Sequence, residues 1–567
     1  MIRLDAYAAR TCAVKTHNRF DPQVRLVEGP IDEALQELFD DANRFEASML
    51  DELARVPGAV DLRGSSSLPV EERVAACRRA MESGASVIID ATLPADDHGH
   101  RTGRPDALVR APYDSITGRP GYWPVDVKNH RVRDRRRPDT DTPPLVVAPL
   151  DEPVGHVVVE TMRFRYGTRE GDLLQVAHYW RMLLACGHAA GDGAWGGIIG
   201  NDPDHADLTG PVVAWVSLDD PVSRTFSRSA EQGWTRRSIL ARYDHEFAFR
   251  VDVAEVAVRQ GEPDAPPPKV LPIRIDECRR CVWWEHCRTR LDSDDISLRL
   301  DKGPLDIREI GVLRQLGLST VTELAQADLD QLLTRYLGEV SHRPNAEARL
   351  RTAHRRAVML ARGELLERIT AGMIRMPMAE VEIDFDLEAA DSGRVYLWGF
   401  LVNDAQGSRY VDFTAWEDLD DAGEVALAVR ALSWLREMIN EHGALVYHYS
   451  GYELNQIERL AQLGDHDVLD WAASPACRQQ LIDLYEVVKT HWFGVQGLGL
   501  KQVATAGAGF AWRDDDPNGL ASQAWFREAV GGSDERARAD AMQRVLTYNE
   551  DDVIATREVR RWLREQH

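Results

Sequence analysis

The chain has 567 residues, enough for roughly two to four domains, each with its own core. Its 92 acidic residues outnumber 68 Lys and Arg, and a net charge of −24 excludes indiscriminate coating of nucleic acid, leaving only locally focused cationic contacts. No run reaches transmembrane length, Met1–Phe20 has no apolar stretch like a signal peptide, and seven cysteines are too few for a disulfide scaffold, so a cytoplasmic location is expected.

The elements of the first half carry an ordered set of polar residues. Lysine is scarce, six against 62 arginines, so each lysine marks a place where a compact ammonium serves and a guanidinium fork does not. The strand-like run Gly103–Val109 carries Asp106. The next, Tyr122–Lys128, alternates so that Asp126 and Lys128 share one face while Val127 enters the core. Two such carboxylates are hard ligands for Mg²⁺ or Mn²⁺, and the ammonium can orient a water or offset charge growing on phosphorus. Lys128 to Arg137 holds six basic residues in ten, which makes Arg131, Arg133, Arg135, Arg136 and Arg137 an expected phosphate track, with a solvated basic loop as the alternative. Gln175 and Tyr179, four apart in the apolar-periodic stretch Asp172–Trp180, share a helix face. Of Trp123, Trp180, Trp283 and Trp284, one is expected to stack on an exposed base and the rest to be core.

A Pro-rich stretch, Gly261–Pro272, precedes the triplet Cys278-x-x-Cys281-x5-Cys287. Three thiolates are one short of a closed metal site, and Cys12 is the natural fourth; zinc, with His286 able to replace Cys12, is the competing occupant. Cys77, Cys186 and Cys477 read as buried thiols. Closing so long a loop restricts the unfolded chain strongly. The acidic run Asp292–Asp295 marks an exit, and residues 300–370 read as helices; Leu316–Leu324 resembles the second half of a helix–hairpin–helix unit but lacks its glycine-x-glycine hairpin, so an ordinary capped helix is expected there. From Met376 the pattern turns to strands: Glu380–Leu387 alternates acid with apolar, Arg394–Val402 is its hairpin partner, and Gly443–Glu453 is a strand running into a polar loop. Tyr548–Val553 is expected to open the final helix.

The set Asp106, Asp126-x-Lys128 and Gln175-x-x-x-Tyr179 resembles the RecB-type nucleases of the PD-(D/E)xK superfamily, whose motifs read PD, (D/E)xK and QxxxY. The resemblance implies Asp106 and Asp126 as metal ligands, Lys128 as catalytic, and Gln175 with Tyr179 as an accessory pair. The first helix of such nucleases usually carries a histidine; in Asn43–Leu50, Phe45 stands in its place, and Glu46 is the implied third acidic ligand. A lone N-terminal cysteine with a CxxCx5C triplet is similar to the iron–sulfur branch of these enzymes, implying a 4Fe–4S cluster on Cys12, Cys278, Cys281 and Cys287.

The C-terminal region resembles the RNase H-like, DnaQ-type (DEDD) exonucleases. Asp384-x-Asp386 matches their Asp-x-Glu, His448–Glu453 their His-Asn-x-x-Phe-Asp, and Tyr548-x-x-x-Asp552 their Tyr-x-x-x-Asp. Asp384, Asp386, Glu453 and Asp552 are thereby implied as metal ligands, with Tyr548 orienting the water; Asp386 and Glu453 each depart by one methylene. Lys501, in Leu498–Gln502, resembles the family's Leu-Lys segment.

Together the resemblances imply an α/β multidomain chain. A restriction-endonuclease-like PD-(D/E)xK α/β/α core with an Fe–S staple spans 1–291, a helical connector 292–372, and an RNase H-like α/β domain 373–567. The implied function is a Mg²⁺- or Mn²⁺-dependent exonuclease of single-stranded or unwound DNA in repair or defence, with a helicase as candidate partner. The iron–sulfur relatives often degrade from the 5′ end and the DnaQ-type relatives from the 3′ end, so one chain is expected to trim both polarities. Two other readings stay open: a nucleic-acid-binding scaffold with one or both sites degenerate, and an exoribonuclease.

Overall fold

The structure, a computed structural model, describes residues 2–26, 33–136, 142–203, 208–514 and 519–566, with the side chains of 33–38 and 519–520 outside the description. It forms a mixed α/β protein of two compact units. The first comprises Met1–Leu298, Leu305–Leu318 and Asp328–Leu350, the second Arg299–Pro304, Ser319–Ala327 and Arg351–His567. Among the described helices, none is long and apolar enough to cross a membrane.

The strands of the first unit are β1 (Val60–Asp61), β2 (Val87–Ile89), β3 (Ala107–Arg110), β4 (Tyr122–Lys128), β5 (Arg133–Arg135), β6 (Leu145–Pro149), β7 (Val157–Val159), β8 (Met162–Phe164), β9 (Trp195–Gly200), β10 (Val212–Ser217), β11 (Ser223–Phe226) and β12 (Trp234–Arg237). Eight of them form one mixed sheet in the order β1-β2-β3-β4-β9-β10-β6-β7. Its centre, β2 through β4 and β9, is almost wholly buried, as strands covered on both faces must be. The helices are α1 (Ala13–Phe20), α2 (Glu33–Leu53), α3 (Val70–Glu82), α4 (Tyr166–Cys186) and α5 (Ile239–Ala257). Both α2 and α4 pack on β4, the strand bearing Asp126 and Lys128. Close approach of α4 depends on Gly196 in β9, where a Cβ would stand 2.5 Å from a Val176 methyl.

Short helices follow: α6 (Trp284–Arg288), α7 (Ile296–Arg299), α8 (Ile307–Gln315), α9 (Val321–Gln326), α10 (Leu329–Val340) and α11 (Ala346–Arg362). The segment resembling helix–hairpin–helix contains α9, which is closed by a capping box: the Thr320 hydroxyl accepts from the Glu323 N–H while the Glu323 carboxylate accepts from the Thr320 N–H.

The second unit holds β13 (Leu366–Arg368), β14 (Glu382–Ala389), β15 (Val395–Asp404), β16 (Gly407–Thr414), β17 (Leu445–His448), β18 (Leu481–Asp483) and β19 (Trp492–Gly494). Its five-stranded sheet runs β16-β15-β14-β17-β18: an antiparallel meander, then β17 and β18 parallel to β14. Helices are α12 (Asp421–His442), α13 (Tyr452–Leu463), α14 (Asp467–Ala473), α15 (Pro475–Arg478), α16 (Leu484–His491), α17 (Leu500–Ala506), α18 (Gly519–Gly531) and α19 (Glu535–Glu565). Ile383, Phe385 and Leu387 of β14 enter the core with Leu427 and Leu432 of α12. Period two then leaves Glu382, Asp384, Asp386 and Glu388 on the opposite face, against which α19 packs. The final helix does not open at Tyr548: Asp534 caps it fourteen residues earlier, its carboxylate accepting from the Arg536 N–H, so Tyr548 and Asp552 sit mid-helix.

Candidate metal centres

The row of four acids on β14 is divided by what α19 places over it. Arg560 donates to both oxygens of Asp384, at 3.0 and 2.7 Å, and also pairs with Glu382; Arg564 reaches Glu382 at 2.6 Å. Asn403 gives Asp384 a further bond of 2.9 Å. Eight residues towards the helix N-terminus stands Asp552, and its carboxylate meets Asp386 and Glu388: a ligand oxygen from each lies within 4.8 Å of the others. The spacing follows from geometry, since eight helical residues advance about 12 Å and four strand residues about 13 Å. Half of the row is therefore neutralised by arginine and half is left as carboxylates alone.

Electrostatics separate the two halves. Burial works to raise Glu382, but Arg564 and Arg560 outweigh it and hold this carboxyl below its usual range. Burial and the Asp552 charge push Glu388 up to about 8. Burial raises Asp552 to about 6, against the pull of the Trp512 indole and Lys501. Burial and the carboxylates of Asp552, Glu388 and Glu453 hold Asp386 well above the ordinary range. Glu453, in the first turn of α13, is itself raised by burial, with one oxygen 3.3 Å from His448 Nδ1. Four acids that repel one another in a buried site, all with hard oxygen donors, suit Mg²⁺ or Mn²⁺.

The surrounding side chains fix these carboxylates. Trp512 Nε1 donates to Asp552 at 2.7 Å, Ser522 to Glu388 at 2.8 Å and Asn549 to Asp386 at 2.8 Å. Lys501 donates to the Tyr548 hydroxyl at 3.1 Å. Asn549 needs Gly399, which faces Asp386 across the β14–β15 ladder; a Cβ there would lie 1.6 Å from Asn549 Oδ1. Gly399→Ala is expected to displace Asn549 and lower the melting temperature and Mn²⁺ affinity together, read by thermal unfolding with and without the ion.

Raised carboxyls also set a pH dependence. A folded-state pKa above the unfolded value means the native state binds more protons, so the metal-free protein is most favoured below the unfolded value of about 4 and loses that contribution as pH rises through the folded values. For Asp552 and Glu388 the loss runs from about pH 4 through about 6 and about 8. Metal-free protein is expected to melt at a lower temperature at pH 8.5 than at pH 6. Mn²⁺ should raise the melting temperature more at the higher pH; a constant increment would contradict the assignment.

In the first unit, β4 and α4 converge. Asp126 is buried and accepts from Gln175 Nε2 at 2.9 Å, while Lys128 Nζ pairs with its other oxygen. The Gln175 amide also donates to the Tyr179 hydroxyl at 3.2 Å. Asp106 Oδ2 accepts from the Val127 N–H at 2.7 Å, and burial with the charges of Asp126 and Glu46 pushes Asp106 well up. Glu46, on α2, is raised by burial and by Asp126. Lys128 and Gln175 thus gather on Asp126, with Tyr179 on Gln175 and Asp106 on the Val127 N–H of the same strand, while Glu46 is linked to them through the charge of Asp126. Among the described residues the three acids do not close as tightly as the second cluster. Arg10, Asp172 and His130 join them unannounced by any motif. Arg10 bonds Gln175 and lies 3.1 Å from Asp172, and Asp172 holds His130 at 2.8 Å.

Cys12, Cys278, Cys281 and Cys287 line one small cavity together with Lys15 and Glu277, and His286 is not part of its wall. Among the described residues, no three of the Sγ atoms close to within 4.8 Å of one another. Asn18 Nδ2 and the Ile275 N–H each donate to a cysteine sulfur, Cys287 and Cys278, at 3.5 Å.

Three placements depart from the sequence reading. Asp384 is occupied by Arg560 and Asn403, whereas Glu388, which no motif singled out, completes the cluster. Asp386-x-Glu388 is one more acid-x-acid pair in a row of overlapping pairs, and only the position of the α19 arginines tells them apart. Arg133 is buried and paired with Asp202 at 3.3 Å, so it cannot belong to an exposed track. Arg136 is tied to the Thr142 carbonyl and Glu160, Arg131 and Arg135 are exposed, and Arg137 lies outside the described residues. Trp123 and Trp180 are core residues.

Residues 383–564 match the family model described as the RNase_H superfamily, a span that contains Asp386, Glu388, Glu453, Tyr548 and Asp552. No curated protein and no solved structure matches the chain. The second unit carries an RNase H-like domain with an acidic cluster, which points to a metal-dependent, nuclease-type activity on nucleic acid.

Proposed function

We propose that the chain is a Mg²⁺- or Mn²⁺-dependent exonuclease of single-stranded or unwound DNA with two hydrolytic centres, one in each unit. The observation that carries this reading is the cluster of Asp386, Glu388 and Asp552 inside the RNase H-like match. A divalent cation held there would neutralise the carboxylates, lower the pKa of a bound water and hold the leaving oxygen. Glu453 supplies the fourth acidic station. Tyr548 is held far above its ordinary pKa by burial and the Asp552 charge, so its phenol keeps its proton and positions a water rather than deprotonating it.

In the first unit the PD-(D/E)xK reading is supported by the convergence of Asp106, Asp126, Lys128, Gln175 and Tyr179, with Glu46 at the rim. The cavity that gathers Cys12, Cys278, Cys281 and Cys287 supplies the four thiols that a 4Fe–4S staple needs, and the choice of that cluster over zinc rests on the resemblance of the CxxCx5C triplet.

The test is degradation of 5′- and 3′-labelled single-stranded DNA in Mn²⁺ by anaerobically purified wild type, Lys128→Ala and Glu388→Gln. Each variant is expected to lose degradation from a different end. Strands consumed from one end only by the wild type would refute two working polarities, and binding without cutting would refute the nuclease reading.

A further inference from the structure

A cavity of about 1270 Å³ opens in the first unit, larger than the roughly 300–1,000 Å³ of a small-molecule site. In a chain of charge −24 its wall is cationic, nine Arg and Lys against five carboxylates. Much of that charge comes from the β11–β12 hairpin and α8, through Arg224, Arg228, Arg237 and Arg308. Arg224 and Arg237 are exposed, and among the described residues neither has a carboxylate within ion-pair distance: Arg224 donates to the Ser341 carbonyl at 3.1 Å and lies over Trp234, and Arg237 donates to the Thr225 hydroxyl at 3.1 Å. Phe226 and Phe249 add aromatic faces to the wall. At one margin the wall includes Arg10, whose guanidinium also reaches Gln175 and Asp172 beside Asp126. At another it includes Cys12 and Glu277 of the cysteine cavity.

We propose that this cleft binds the phosphodiester backbone of a single nucleic-acid strand and leads it to the Asp126–Lys128 centre, an inference that rests on reading that centre as a nuclease. Arginines without acidic partners are free to replace the counterions of successive phosphates, and Phe249 gives an unpaired base a surface to stack on, whereas the Phe226 ring is already covered by the Arg308 guanidinium at 3.9 Å. Arg10, shared by cleft and centre, is the point where the track delivers the strand. The expected track therefore lies mainly on the β11–β12 hairpin rather than on Arg131 to Arg137. The cysteine cavity borders the same wall, so whatever group ties Cys12 to the Cys278–Cys287 segment also fixes one side of the cleft.

The experiment is fluorescence anisotropy of matched 20-nucleotide DNA and RNA strands, titrated with full-length protein in EDTA across a salt series. Proteins compared are wild type, the double variant Arg224→Ala/Arg237→Ala, Arg228→Ala, and Arg79→Ala as an exposed arginine elsewhere. The double variant is expected to bind about tenfold or more weakly, with the slope of log K against log salt reduced by about 1.4, while Arg79→Ala is unchanged. Arg228→Ala, the milder change because this guanidinium already pairs with Glu339 at 3.2 Å, should lose less than about 0.7 from the slope. Equal affinity and slope for wild type and both cleft variants would overturn the proposal, as would absence of binding by the wild type. The stronger-binding strand, DNA or RNA, identifies the source of the backbone. Arginine-dependent binding without hydrolysis in Mn²⁺ would leave the cleft standing and remove the nuclease reading instead.

Discussion

Asp552→Asn is expected to abolish hydrolysis at the C-terminal centre and, without metal, to make the protein more stable at pH 8. Both effects have one cause. Asp552 is the carboxylate that raises Asp386 and Glu388, and ionising the cluster opposes folding until a cation enters. Loss of an outer-shell partner of a metal costs about 10–100-fold in activity or affinity, so loss of a ligand should exceed about 100-fold. Asp384→Ala is expected to behave in the opposite way. It removes no member of the cluster but takes away the carboxylate that Arg560 grips through two hydrogen bonds, leaving Glu382 as its acidic partner, so the loss should stay below the about 3–5 kcal/mol of leaving a buried charge unpaired. Melting temperatures and Mn²⁺-dependent turnover of the two variants, measured side by side, check the division. Equal destabilisation by both would contradict it.

Lys128→Met is expected to remove hydrolysis at the first centre by about 10²–10³-fold, the usual cost of losing one group that stabilises transition-state charge, while substrate binding persists. Burial works against the Lys128 charge, but the Asp126 carboxylate outweighs it and raises the ammonium above its ordinary pKa. The role proposed for Lys128 is therefore that of a fixed cation, not a base. Activity of this centre should consequently show no limb rising with pH below about 10 that Lys128→Arg removes. Single-turnover rates against pH check this; a limb that disappears with the lysine would assign it a base role.

The sequence showed most clearly what local periodicity controls. Alternation in Tyr122–Lys128 and Glu380–Leu387 located β4 and β14 and their acidic faces, and the four-residue spacing of Gln175 and Tyr179 brought the Gln175 amide to both Asp126 and the Tyr179 hydroxyl. Choosing which acids of β14 form the cluster needed a tertiary fact, the placement of Arg560 and Arg564 eight and twelve residues beyond Asp552. An acid-x-acid pattern repeated along a strand cannot supply that. Arg10 was invisible for the same reason: it lies 165 residues from Gln175 and joins the centre only because the segment before Cys12 folds back onto α4. The basic run Lys128–Arg137 misled because β5 alternates as any strand does, turning Arg133 inward onto Asp202.

Anomalous scattering from a Mn²⁺-soaked crystal locates the ion. A manganese peak bounded by Asp386, Glu388 and Asp552 is expected, with Asp384 still held by Arg560. A peak on Asp384 with Glu388 turned away, or no peak at the cluster under conditions that support hydrolysis, would contradict that placement.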